Sequence, residues 1–129
     1  MARIATDVLI IEDQALVALD FGDLVTRMGH RVIGIAASHR DAVRLARKKP
    51  PGLVLADLKL ADGSSGLDAV NEMLGSFAVP VIFVTGYPEK LRDAQPRASH
   101  LLAKPIDPAA LEAIITQALF FSENATRLQ

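Results

Sequence analysis

The feature that most narrows what this chain can fold into is an alternation. Short apolar runs of strand length follow one another down the sequence, each separated from the next by a segment with helical spacing. Val8-Leu9-Ile10-Ile11 is the first run and stops at Glu12-Asp13. From Gln14 to Met28, Val17, Phe21, Leu24 and Met28 fall at helical spacing, and Gly29 supplies a stop. Arg31 to Ile35 reads as a second strand. Ser38, with Asp41 three residues on, makes a capping arrangement for a helix that carries Ala42, Leu45 and Ala46 inward and ends before Pro50-Pro51. Leu53-Val54-Leu55-Ala56 is the third strand and ends at Asp57. A loop containing Asp62-Gly63-Ser64-Ser65-Gly66 leads to a helix from about Leu67 to Leu74. Pro80 to Val84 is the fourth strand and ends at Thr85-Gly86-Tyr87-Pro88. Glu89 to Gln95 has helical composition with little apolar periodicity, so that element is weak. Ser99 to Ala103 is the last strand and ends at Lys104-Pro105. Asp107 as N-cap and Pro108 at the first helical position open a final helix with Leu111, Ile114, Ile115, Ala118 and Leu119 on its apolar stripe.

Five strands alternating with five helices predict an α/β domain whose open, mostly parallel sheet is covered on both faces. The strand runs are nearly continuous in Val, Ile and Leu, as burial on two faces requires. Strand order is not legible in periodicity. The flavodoxin-like and Rossmann-like orders both place ligands at the carboxyl ends of the strands. A length of 129 residues fits a single domain, 1–129, with its core at about 7–121 and no repeat or linker. The absence of cysteine excludes disulfides, thiol nucleophiles and cysteine-ligated zinc. With 14 basic and 15 acidic residues, net charge −1, there is no electrostatic case for nucleic acid or an anionic membrane as partner. Met1 to Thr6 lacks the apolar stretch of a signal peptide, and no apolar run approaches the ~20 residues of a membrane span, so a cytoplasmic protein is expected.

The strand ends carry the functional signal. Strand one ends in Glu12-Asp13, strand three in Asp57, strand four in Thr85 and strand five in Lys104. A parallel sheet puts all these ends on one edge. Three carboxylates brought together raise one another's pKa, and a hard divalent cation such as Mg²⁺ removes that conflict. A hydroxyl and an ammonium beside it are suited to holding phosphoryl oxygens. Singly, each residue has a plainer reading: Asp after a strand as a turn or cap residue, Lys-Pro as a loop, Thr-Gly as a turn, Glu12-Asp13 as partners of the helix dipole. Jointly, five such residues in this order read as a site that places a phosphoryl group on a carboxylate.

From Asp7 to Phe121 the chain resembles the response-regulator receiver domains of two-component signalling. Glu12 and Asp13 match the family's acidic pair, Asp57 its phosphoacceptor, Thr85 its hydroxyl residue and Lys104, followed by Pro105, its lysine. The resemblance implies the flavodoxin-like strand order 2-1-3-4-5 and a cis Lys104-Pro105 bond. It also implies Mg²⁺ held by Asp13, Asp57 and the backbone carbonyl of Lys59, with Glu12 assisting mainly through water. Two positions depart from the commonest pattern. Leu101 stands where many receivers carry the aromatic switch partner of the hydroxyl residue. Instead, Phe83-Val84-Thr85-Gly86-Tyr87 resembles a receiver subset with a Phe-X-Thr-Gly-Tyr run, whose partners tend to be HWE-type histidine kinases. The switch set is then Thr85, Tyr87 and Leu101.

Because the chain stops soon after the last helix, the expectation is a stand-alone receiver that signals to a downstream protein target, as a monomer or weak homodimer. Phosphate would come from a histidine kinase or phosphotransfer protein docking on a small-and-apolar strip of the first helix, Ala15, Ala18, Leu19 and Gly22. A non-phosphorylated pseudo-receiver is the alternative. An aspartate-nucleophile phosphatase fits less well, because that family puts Asp-X-Asp after its first strand, where this chain has Glu12-Asp13-Gln14. Arg40, Arg44, Arg47 and Lys48 read as a solvated helix face, and His30, His39 and His100 as surface or structural residues without metal-ligand spacing. Phe120-Phe121 read as a cap on the core, with a homodimer face as the sharper reading.

Overall fold

The structure, a computed structural model, describes residues 5–57, 79–86 and 99–127. The strands are β1 (Asp7–Ile11), β2 (Arg31–Ala36), β3 (Leu53–Asp57), β4 (Val81–Thr85) and β5 (Ser99–Ala103), and the helices are α1 (Ala15–Arg27), α2 (His39–Lys48) and α3 (Pro108–Arg127). All strand pairs are parallel, in the order β2-β1-β3-β4-β5. This is the flavodoxin-like order. The expected helix at Leu67–Leu74 and the weak element at Glu89–Gln95 lie outside the described residues, as do Lys59 and Tyr87.

Every residue of β3 and β4 is buried, which is why those runs read as unbroken apolar stretches. On one face of the sheet, Leu9, Ile11, Val54, Ala56 and Phe83 pack with Ala42, Val43 and Ala46 of α2. On the other, Val8, Ile10, Leu55, Ile82 and Val84 pack with α1 and α3. Several local signals are seen in place. Gly29 follows α1 at φ +92°, where a side chain would be strained. The Ser38 hydroxyl accepts from the Asp41 amide at 3.2 Å, and Asp107 accepts from Ala109 N–H at 3.2 Å. Lys104-Pro105 is cis. No helix among the described residues is long and apolar enough to cross a membrane.

Three expectations about side-chain direction are corrected. Ala18 is not on an outer strip. It is 1% exposed and lies on the core row with Phe21 and Val25, while Val17, Leu24 and Met28 are half-buried at the flank. Gly22 also turns inward, its pro-Cβ position 3.7 Å from Val32 Cγ2. Only Ala15 and Leu19 of the strip are exposed, beside Leu16. The rotation arises because α1 is covered on two sides, by β1 and β2 and by α3. In α2 the buried set is Ala42, Val43 and Ala46, with Leu45 partly covered. Phe120 is 59% exposed, so it does not cap the core.

Candidate functional site

Glu12 follows β1 directly, and its amide donates to the Ala36 carbonyl at the end of β2 (2.9 Å). This bond fixes the residue at the carboxyl edge of the sheet. Its side chain points inward and is buried, as are Asp57 at the end of β3 and Thr85 at the end of β4. One carboxylate oxygen of Glu12 accepts from the Gln14 amide at 3.2 Å, next to the start of α1. The other accepts from Lys104 Nζ at 3.2 Å, and the same ammonium donates to Asp57 Oδ2 at 3.1 Å. Lys104 is itself held by backbone: its amide donates to the Thr85 carbonyl at 2.8 Å, which joins the ends of β4 and β5.

Glu12, Asp13 and Asp57 each present an oxygen, and these atoms lie within 4.8 Å of one another. The electrostatics follow from this crowding. Burial first, then the charge of Asp57 and a hydrogen bond with Asp13, push the Glu12 carboxyl up to about 7, against the opposing pull of the Gln14 amide and Lys104. Burial alone would lower the Lys104 ammonium, but its bond to Asp57 and the charges of Asp57 and Glu12 outweigh that and hold it above its ordinary value. One ammonium between buried carboxylates leaves negative charge uncompensated. A hard, oxygen-seeking divalent cation fits that donor set.

The structure therefore brings together Glu12, Asp13, Asp57 and Lys104. It places Thr85 one position beyond Val84, the residue in register with Asp57. Leu101 lies on β5 in register with Phe83, 37% exposed. Two features escaped sequence reasoning. The Glu12–Lys104 pair spans 92 residues, and no local pattern announces it. A groove of about 440 Å³ also runs beside the site, between Val17, Phe21 and Leu24 of α1 and Pro105, Ile106 and Pro108. Its signal was the polar row Asp20, Asp23 and Arg27 flanking Leu24.

Residues 8–116 match the response regulator receiver domain family. The chain belongs to that family. Among relatives of this receiver, the phyllosphere-induced regulator PhyR of Methylorubrum extorquens is 54% identical over 128 residues, a match covering 98% of the chain and 48% of that protein. The solution structure of the PhyR receiver domain of Erythrobacter litoralis superposes with TM-score 0.85 at 49% identity, covering 91% of this chain and 92% of that one. The anti-anti-sigma factor PhyR of Bartonella quintana superposes with TM-score 0.87 at 46% identity, covering 98% of this receiver and 52% of that chain. The receiver thus spans about half the length of the full PhyR relatives it matches. Its family is one of response regulators in two-component signalling.

Proposed function

We propose that this receiver takes a phosphoryl group onto Asp57 from a histidine kinase or phosphotransfer protein and passes the signal on by protein contact. The observation that carries the reading is the placement of Lys104 Nζ between Glu12 and Asp57, beside three converging carboxylates. Asp13, Asp57 and the Lys59 carbonyl would hold Mg²⁺, with Glu12 assisting through water. Bound there, the ion supplies positive charge to offset the oxygens of the incoming phosphoryl group. Asp57 is the nucleophile: its carboxylate oxygen forms the bond to phosphorus as the bond to the donor breaks, and the electron pair leaves with the donor. Lys104, already 3.1 Å from Asp57, shifts its hydrogen bond to a phosphoryl oxygen, and Thr85 donates its hydroxyl to another. The residues' contribution is positioning and fixed charge. Thr85 then draws the segment through Tyr87 toward the site, in place of an aromatic flip at the position that Leu101 occupies.

The receiver module itself is the switching unit, acting in the cytoplasm. By analogy with the name of the Bartonella relative, its downstream partner belongs to sigma-factor control, and its Phe-X-Thr-Gly-Tyr run favours an HWE-type kinase upstream. The exposed part of the α1 strip, Ala15 and Leu19 with Leu16, offers the docking face beside the acidic edge. Intact mass spectrometry after incubation with Mg²⁺ and a small phosphodonor tests the central claim. One phosphoryl adduct is expected, absent in Asp57→Asn and in EDTA, and equal labelling of Asp57→Asn overturns it. Leu19→Glu should then reduce transfer from the kinase about tenfold or more while leaving small-donor labelling unchanged. Ala18→Glu cannot serve, because it buries a charge.

A further inference from the structure

On the sheet face opposite α1 and α3, α2 carries its charge in a row. Arg40, Arg44 and Arg47 follow at spacings of four and three, so they share one side of the helix. With His39 and Val43 they line a groove of about 420 Å³, within the ~300–1,000 Å³ common for small-ligand sites. Its apolar wall is Val43, fixed in the core at 5% exposure. Within α2 a single carboxylate, Asp41, 3.4 Å from Arg44, stands against four cations: Arg40, Arg44, Arg47 and Lys48. Like charges three and four apart oppose helix formation. The Ser38 cap and the buried Ala42, Val43 and Ala46 hold the helix regardless.

Three of those cations are guanidiniums, whose planar fork binds two oxygens of a phosphoryl group at once, which an ammonium cannot do. At spacings of four and three, Arg40 with Arg44 and Arg44 with Arg47 would close as two adjoining clamps once a phosphoryl group draws Arg44 from Asp41. The geometry points to a binding site on α2 for a small molecule with two or more linked phosphoryl groups, of the nucleoside di- or triphosphate class. The imidazole of His39 and the Val43 wall lie beside its uncharged part. From Arg40 to Arg47 the helix rises about 10 Å, the reach of a short phosphate chain but of only about three extended peptide residues. None of Glu12, Asp57, Thr85 or Lys104 lines the groove, so the site stands apart from phosphoryl transfer at Asp57.

Calorimetric titration of the full chain with ADP, GDP and inorganic pyrophosphate, in EDTA and about 150 mM salt, tests this, with amide NMR shifts locating the ligand. Saturable one-to-one binding is expected, with shifts centred on residues 38–49. Arg44→Gln, which removes a member of both clamps, should weaken it about 30-fold or more, and Arg40→Gln and Arg47→Gln about tenfold each. Arg44→Lys keeps the charge but loses the fork and should still weaken binding about tenfold. These arginines are exposed, so circular dichroism should show every variant folded. No saturable binding overturns the proposal, as do shifts centred on Glu12 and Asp57. AMP or polyglutamate binding as tightly as ADP, or an Arg44→Lys variant indistinguishable from the parent, overturns it too, showing a general cationic face.

Discussion

The two edges of the sheet carry the same kinds of group and treat them in opposite ways. At the amino edge, Asp7 accepts from Arg31 Nε at 2.8 Å and lies 3.6 Å from Lys49. At the carboxyl edge, Glu12 and Asp57 share Lys104 at 3.2 and 3.1 Å. The distances are alike, yet the Arg31 bond holds Asp7 below its ordinary 3.8, whereas Glu12 is pushed up to about 7. The difference is water. The Asp7 side chain keeps 19% exposure and its partners Arg31 and Lys49 are 63% and 62% exposed, whereas the Glu12 side chain is 0% exposed and Lys104 25%. An ion pair at the surface keeps its hydration and gains a partner. A buried carboxylate first loses hydration, and one shared ammonium does not replace it. The amino edge is thus built to be stable as it stands, while the carboxyl edge holds surplus negative charge that a bound cation would offset.

The largest expected contrast comes from removing one lysine at each edge. Lys104→Met should lower Mg²⁺-dependent labelling of Asp57 by about 10²–10³-fold, because a fixed charge at the developing oxygens is lost. Lys49→Met should leave labelling at the parent level. Similar losses from both, read by intact mass, would erase the distinction between the edges.

A middle-sized effect concerns Glu12 and pH. Below about 4.5 the group is neutral in both folded and unfolded chains. Between 4.5 and about 7 the unfolded chain has released a proton that the folded one keeps, so this group's contribution to stability falls as pH rises and levels off above about 7. Glu12→Gln should therefore stabilise the metal-free protein at pH 8 by on the order of 1–3 kcal/mol and have much less effect at pH 4, measured by urea melts in EDTA. A Mg²⁺ ion held beside Glu12 would compete with the same proton, so its affinity should rise with pH, approaching tenfold per unit below about 7. Titration calorimetry should show that slope flattened in Glu12→Gln, with a greater loss of affinity in Asp13→Ala. A pH-independent affinity in the parent protein would contradict the assignment.

The smallest effect belongs to the amino edge. Asp7→Asn should change the thermal midpoint near neutral pH by no more than about 2 °C, and by less in high salt. Asp7's stabilising effect is complete above its ordinary 3.8 and is lost as pH falls through its depressed value, so the two proteins should converge in strong acid. A change in stability larger than that of Glu12→Gln at pH 8 would break the comparison.

What the sequence determined by itself is whatever depends on residues within about one helical turn. The fully buried β3 and β4 were legible as unbroken apolar runs, Gly29 as a helix stop, Ser38 with Asp41 as a cap, and Asp107-Pro108 as a helix start. The strand ends were legible as well, so Glu12, Asp13, Asp57, Thr85 and Lys104 could be named as candidates before any of them had a position in space. Tertiary structure decided which neighbour each group meets. The order β2-β1-β3-β4-β5 lets Lys104 reach Asp57 across 47 residues and Glu12 across 92. Packing of α1 against both the sheet and α3 turned Ala18 and Gly22 inward, and packing of α2 chose Val43 over Leu45 for full burial. The proton on Glu12 belongs to this second class. Its carboxyl rises because packing removes water and brings Asp57 close, and neither cause is present in the residues on either side of it.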